Sequence, residues 1–119
     1  MPWEVWGAGT AQEIRGRALC DIDGKAKVGV GLIELGPGCD TRPAHYHPLE
    51  EEHLYALAGS ATLHLGDEQH VLTPGMYVRF PAGRAVPHHI ENTSEAPFRY
   101  LMVGERIDAD EVVYPDGAE

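Results

Sequence analysis

The sequence is poor in thiols, in positive charge and in long apolar runs, and each shortage removes a class of function. There are two cysteines, Cys20 and Cys39, and no C-x-x-C pair, so a thiolate zinc site is not expected. Their separation permits a disulfide, but nothing in the pattern demands one. The opening MPWEVWGAGTAQE has neither a basic start nor an apolar core, so no secretory leader is legible in it. Reduced thiols and a cytoplasmic location are therefore the expectation. Nine basic residues face 19 acidic ones, for a formal net charge of -10. Binding to a phosphate backbone needs a basic face, so neither a nucleic acid nor an anionic membrane surface is expected as a partner. No apolar run is long enough to cross a bilayer. A P-loop, a G-x-G-x-x-G fingerprint and a G-x-S-x-G elbow are all missing, which sets aside the usual nucleotide and serine-hydrolase readings. After Gly16 there is no convincing helical periodicity.

What is present reads as strands and turns. A chain of 119 residues suffices for one domain spanning 1–119, with a single core. Val28, Val30 and Leu32 alternate with Gly29, Gly31 and Ile33, and the glycines would let this strand bend or let another backbone come close. Apolar stretches follow at 54–58, 61–65, 70–72, 76–80, 87–92, 98–103 and 111–114. Gly66-Asp67, Thr73-Pro74-Gly75, Pro81-Ala82-Gly83 and Asn92-Thr93-Ser94 punctuate them. Short strands with this punctuation predict an all-β sandwich or barrel. Ahead of them, Trp3 and Trp6 are expected to anchor a short irregular N-terminal segment. Thr10 to Glu13 fits a capping pattern that Gly16 cuts to one turn at most. From Glu105 to Glu119 there are six acids and one arginine, which read as a solvating tail.

The chemistry is concentrated in histidine, of which there are seven. The stretch Gly38 to Glu52 reads GCDTRPAHYHPLEEE. His45 and His47 are one residue apart, so on an extended strand both imidazoles share a face. With a nearby carboxylate they would make a metal site that keeps open positions. A second constellation comprises Gly75, Pro81, Gly83, His88 and Asn92.

In this order the two constellations resemble the two motifs of the cupin superfamily, G-x5-H-x-H-x(3,4)-E-x6-G and G-x5-P-x-G-x2-H-x3-N. Here six residues, not five, separate Gly38 from His45, and four (RAVP), not two, separate Gly83 from His88. The resemblance runs from about Val28 to Val103 and is closest to small single-domain conserved-barrel cupins, some of which share the ending Tyr114-Pro115-Asp116. It implies a jelly-roll barrel, also called a double-stranded β-helix, open at one end. It also implies one divalent transition metal (Fe, Mn, Ni, Co, Cu or Zn) held by His45, His47, Glu52 and His88. The sequence does not choose among these metals. His89 is an alternative to His88, and Glu51 an alternative to Glu52. The spacing to Asn92 favours His88, and the spacing to Gly59 favours Glu52. Strand alternation turns His88 and Ile90 inward and His89 outward. Glu50 reads as a loop charge, His53 as pointing away from the metal, and His64 and His70 as surface residues.

Three neutral imidazoles and one carboxylate with a divalent ion carry one net positive charge, which suits an anionic or enolisable small molecule. The leading expectation is a metal-dependent small-molecule enzyme: an oxidoreductase of dioxygenase type, an isomerase, or a decarboxylase or lyase. The other reading is a metal- or ligand-binding cupin without turnover. Outside the ligand set, His89, His53 and Tyr55 are the candidate general bases, and Arg42, Arg79 and Arg84 could aim a cation at an anionic ligand, Arg79 foremost because it lies on a strand between Val78 and Phe80. Cupin barrels commonly pair, so a homodimer through the apolar strand Val28–Leu35 is expected. An apolar pocket opening on the metal positions would support catalysis, and a closed site would support binding alone.

Overall fold

In the computed structural model, residues 3–19 and 22–115 are described. Nine strands run in chain order: β1 (Glu4–Trp6), β2 (Ile14–Ala18), β3 (Val28–Leu35), β4 (Glu52–Ala58), β5 (Ala61–Leu65), β6 (Glu68–Leu72), β7 (Tyr77–Phe80), β8 (His88–Glu91) and β9 (Phe98–Glu105). They form two antiparallel sheets, β1-β2-β3-β9-β4-β7 and β6-β5-β8. No α-helix occurs among the described residues. This is the all-β barrel that the turn punctuation predicted, and β5 has the bounds read from the sequence.

The core lies between the sheets. Leu35, Leu54, Ala56, Leu63, Leu72, Ile90, Phe98 and Tyr100 are all essentially buried. Period-2 alternation produces this arrangement: Leu54 and Ala56 of β4 turn in, while Tyr55 and Leu57 between and beyond them stay exposed. Gly59, which closes the first motif, has φ +77°, and a Cβ there would meet the Pro97 carbonyl oxygen at 2.2 Å. Only glycine serves at that turn. Asn92, which closes the second motif, is fully buried. Its side chain donates to the Leu35 and Ala96 carbonyls and accepts from Ser94, so it ties three segments together. The Asn92-Thr93-Ser94 stretch is a turn, as expected.

The N-terminal segment is more regular than its sequence suggests. Glu4–Trp6 is a strand, paired with β2 in the register Glu4↔Gly16 and Trp6↔Ile14. Gly16, read as a helix breaker, lies under the Trp6 ring, where an added Cβ would come within 3.0 Å of it. Thr10 to Glu13 forms the single capped turn, with the Glu13 carboxylate accepting from the Gly9 N–H at 2.9 Å. Trp3 anchors the segment as expected. The guanidinium groups of Arg15, Arg17 and Arg99 stand 5.1, 5.6 and 5.9 Å from its ring. The 111–114 stretch is not a full strand; it makes one bridge, Val113↔Tyr46.

Candidate metal centre

The two histidine motifs are 43 residues apart in sequence, and the backbone joins them directly. The His45 N–H donates to the His88 carbonyl at 3.2 Å, and the His88 N–H donates back to His45 at 2.9 Å. The segment carrying His45 thus extends the smaller sheet beside β8, with a second bridge at Asp40↔Glu91. Gly83, at φ +76°, donates its N–H to the His47 carbonyl at 3.0 Å and so ties the second motif to the first. Glu52 enters from the facing sheet as the first residue of β4.

The four side chains converge. Glu52 Oε1 lies 3.2 Å from His47 Nε2 and 3.7 Å from His88 Nε2. Ligand atoms of His45, Glu52 and His88 all lie within 4.8 Å of one another. The His45 ring centroid is 5.3 Å from that of His47 and 4.8 Å from that of His88. Phe80 stacks on His88 at 3.9 Å and fixes the plane of that ring. Of the alternatives left open by the sequence, Glu52 and His88 turn inward. Glu51 is held outside by Arg79 at 2.8 Å and His53 at 2.7 Å. His89 stacks on His64 at 4.4 Å, on the outer face of the smaller sheet.

Electrostatics divide the cluster. Burial, with the neighbouring His45 imidazole, pushes His88 down to about 4. Burial also lowers His45. Both shifts favour the neutral imidazole, the form that can ligate a metal. Glu52 is pushed up by burial but ends below the usual carboxylate range because His47 and the other imidazoles favour its charged form. His47 is raised to about 9, first by the Glu52 carboxylate and then, against burial, by Asp110. Even so, Glu52 Oε1 is buried with no partner in hydrogen-bonding geometry. A buried carboxylate oxygen without such a partner is costly, and a cation among these donors would satisfy it. With the Nε2 proton of His47 released on binding, the donor set of three imidazoles and a carboxylate fits a divalent transition metal.

Two residues at this site are not singled out by the sequence. Asp110, in the stretch read as a solvating tail, has a side chain only 4% exposed. Its Oδ2 accepts from His47 Nδ1 at 2.8 Å, and its Oδ1 accepts from the Leu49 and Glu50 N–H groups at 2.8 and 3.1 Å. Such a carboxylate fixes which nitrogen of His47 faces the cluster. Glu50, read as a solvated loop charge, accepts from the Ile107 N–H at 2.8 Å and helps hold the same crossing. Tyr100 is the second residue missed. It sits on the inward rail Phe98-Tyr100-Met102, which alternation could have revealed, and burial raises its phenol well above the usual range.

A cavity of about 230 Å³ opens on His45, Glu52 and His88. Ile14, Ile33, Ile90 and Met102 supply its apolar walls, and Thr41 and Tyr100 supply polar groups. None of the candidate bases reaches it, because alternation puts them on outer faces. His53 is bound to Tyr77 at 2.5 Å as well as to Glu51, Tyr55 is 44% exposed, and Arg79 is committed to Glu51. Arg42, likewise, forks onto Asp40 at 2.8 and 3.1 Å. His64 and His70 pair with Glu91 and Glu68 at the surface. Cys39 is a free thiol packed against the core, and Cys20 lies outside the described residues.

A family model of the cupin domain matches residues 31–104, which contain all four converging side chains. The chain belongs to the cupin superfamily. Among solved structures, this cupin is similar to one described as a sugar phosphate isomerase from Acidithiobacillus ferrooxidans. The TM-score is 0.81 and the identity 34%, over 89% of this chain and 67% of that one. It is also similar to the polyketide cyclase RemF from Streptomyces resistomycificus, with TM-score 0.76 and 27% identity over 89% of this chain and 73% of the other. Protein SchB of Streptomyces halstedii is 32% identical over 73 residues, which are 61% of this cupin and 51% of SchB. The chain thus spans about half the length of that curated relative. No helix among the described residues is long and apolar enough to cross a membrane.

Proposed function

We propose that this cupin is a metal-dependent small-molecule enzyme acting on an enolisable or anionic metabolite, with one divalent transition metal held by His45, His47, Glu52 and His88. The observation that carries the reading is Glu52 Oε1: a buried carboxylate oxygen without a hydrogen bond, ringed by imidazoles, at the wall of an open apolar cavity. When bound, a divalent ion supplies Lewis acidity toward a substrate carbonyl or enolate oxygen. The chain's own residues do the rest. Asp110 takes the Nδ1 side of His47 and leaves Nε2 facing Glu52. Ile14, Ile33, Ile90 and Met102 keep water from the reacting end of a substrate. The Tyr100 phenol, protonated at neutral pH, offers a hydrogen bond inside the cavity. With His53, Tyr55, His89 and Arg79 facing outward, Tyr100 and Thr41 are the polar side chains placed to serve a substrate beside the cluster.

The reaction class is isomerase, decarboxylase or lyase, or dioxygenase, all of which use an oxygen-bearing substrate at such a centre. A metal- or ligand-binding role without turnover is the second reading, and the open cavity argues against it. A small-molecule ligand is the partner, and a homodimer through the apolar outer face of β3 belongs to the same proposal. The test is elemental analysis of untagged protein purified without chelator, followed by turnover assays on enols, diketones and keto acids with each metal. Near-stoichiometric metal with turnover supports the enzyme. Metal without turnover supports the binding role. A content near zero that added Fe, Mn, Co, Ni, Cu or Zn cannot restore sinks both.

A further inference from the structure

We infer that the groove beside the metal cavity is the outer half of the substrate site, and that Arg106 there receives a distal carboxylate or phosphoryl group of a small molecule whose oxygen-bearing head meets the histidine cluster. The inference rests on the function proposed above and specifies its substrate class.

Register places the cation. Strand β9 turns Phe98, Tyr100, Met102 and Gly104 to the inner face, as the partners of Leu35, Ile33, Gly31 and Gly29. The Arg106 N–H donates to the Lys27 carbonyl at 3.0 Å, one step past the Glu105↔Val28 pair. Alternation therefore brings Arg106 to the same inner face. Its guanidinium lies over Gly29, where a Cβ would come within 3.2 Å of Nε. Gly29 does not have positive φ, so conformation does not require glycine there, and the seat of the guanidinium accounts for it. Gly104, the direct partner of Gly29, lies under Glu52, whose Oε2 would be 3.7 Å from a Cβ at that position. Neighbouring strands are about 4.8 Å apart, so the Glu52 carboxylate and the guanidinium stand roughly 5–10 Å apart along one row.

The spaces over the two groups adjoin. A cavity of about 240 Å³ is lined by Trp6, Gly16, Ile33 and Arg106, and Ile33 also walls the metal cavity. Arg17 lines this groove too, but its guanidinium is turned to the Trp3 ring, 5.6 Å away. No lysine or arginine is among the described residues that line the metal cavity, and Arg42 and Arg79 are committed to Asp40 and Glu51. Arg84 lines a separate space of about 40 Å³ that includes neither His45 nor Glu52. A guanidinium has five N–H donors and one carboxylate engages two, so an intramolecular partner of Arg106 leaves donors for a ligand. The metal-loaded cluster carries one positive charge and Arg106 a second, so a ligand with an anionic group at each end neutralises both. Trp6, Gly16, Gly29 and Arg106 fall outside residues 31–104, so the groove is additional to the matched cupin barrel.

The test titrates metal-loaded protein calorimetrically with three 2-oxo acids that share one chelating head: 2-oxobutyrate, 2-oxoglutarate and 2-oxo-4-phosphonobutyrate. The first ends in a methyl group, the second in a carboxylate and the third in a phosphonate. Arg106→Gln removes the cation at an exposed position, and Gly29→Val pushes the guanidinium off its seat without removing the charge. Metal content is measured on each variant. The unaltered protein should bind at least one of the two doubly anionic acids about tenfold or more tightly than 2-oxobutyrate. Arg106→Gln should abolish that preference and leave 2-oxobutyrate within about twofold. Gly29→Val should reduce the preference by a smaller factor. The tighter of the two shows whether the groove takes a carboxylate or a phosphoryl group, and either supports the inference. Equal affinities for all three acids, or a preference that survives Arg106→Gln, would overturn the groove and leave the metal centre standing. Failure of all three to bind the loaded protein would overturn the groove together with the open metal positions on which the proposed function depends.

Discussion

Strand β4 and the residue ahead of it carry the same chemistry on two faces, and only one face has work left to do. Outside, Glu51, His53, Tyr77 and Arg79 satisfy one another: the glutamate takes an arginine and a histidine, and the histidine takes a phenol. Inside, Glu52 lies among three imidazoles with one oxygen buried and unbonded. Residue type does not separate the two clusters, since each has histidine, glutamate and tyrosine nearby. What separates them is burial together with one carboxylate oxygen left outside hydrogen-bonding geometry. A closed network stabilises a surface, whereas an incomplete one beside a cavity is the candidate place for a ligand.

The largest effect should come from swapping the test between neighbours. Glu52→Gln should weaken metal binding on the order of 100-fold or more, while Glu51→Gln should leave it within about threefold. Competition with a chromogenic chelator measures both, and equal losses would erase the distinction between the faces.

Next in size is Asp110→Asn, which keeps the shape but removes the carboxylate that orients His47. The expected loss is about tenfold in metal affinity, with an unchanged circular-dichroism spectrum. An affinity equal to that of the unaltered protein would reduce Asp110 to a loop fastener.

The smallest effect sharpens the comparison away from the cavity, at Asp40. The Arg42 guanidinium, with Gln12 and the Arg42 N–H, outweighs burial and holds its carboxyl down at about 2, against an ordinary 3.8. A carboxyl held low in the fold stabilises it above the unfolded value, and that contribution fades as pH falls through the folded one. Asp40→Asn should therefore cost about 1 kcal/mol at pH 7, discounted because Arg42 faces solvent, and progressively less from pH 4 to pH 2. Thermal melts across that range measure it, and a pH-independent difference would refute the ion pair as its source.

Much of the site could be read because its signals are local. One residue between His45 and His47, six between Glu52 and Gly59, and three between His88 and Asn92 are constraints that a strand and its turn write directly into sequence. The same alternation correctly sent His53 outward, and applied to Tyr55 it would have disqualified that residue as a base. Asp110 was hidden for the opposite reason. Its partner is 63 positions away, and an acid among acids carries no spacing signal. Strand β1 was hidden because three residues show no period, and only the fit of Trp6 over Gly16 gives it a register.

The Asp110 contact also bears on how the molecule is made. Translation delivers His45, His47, Glu52 and His88 first, and a nascent chain stalled at that stage already owns every proposed ligand. It lacks the carboxylate that turns His47 and the Val113 bridge that pins Tyr46. An ion held by the four proposed ligands would therefore find its final arrangement only in a chain that already extends to Val113.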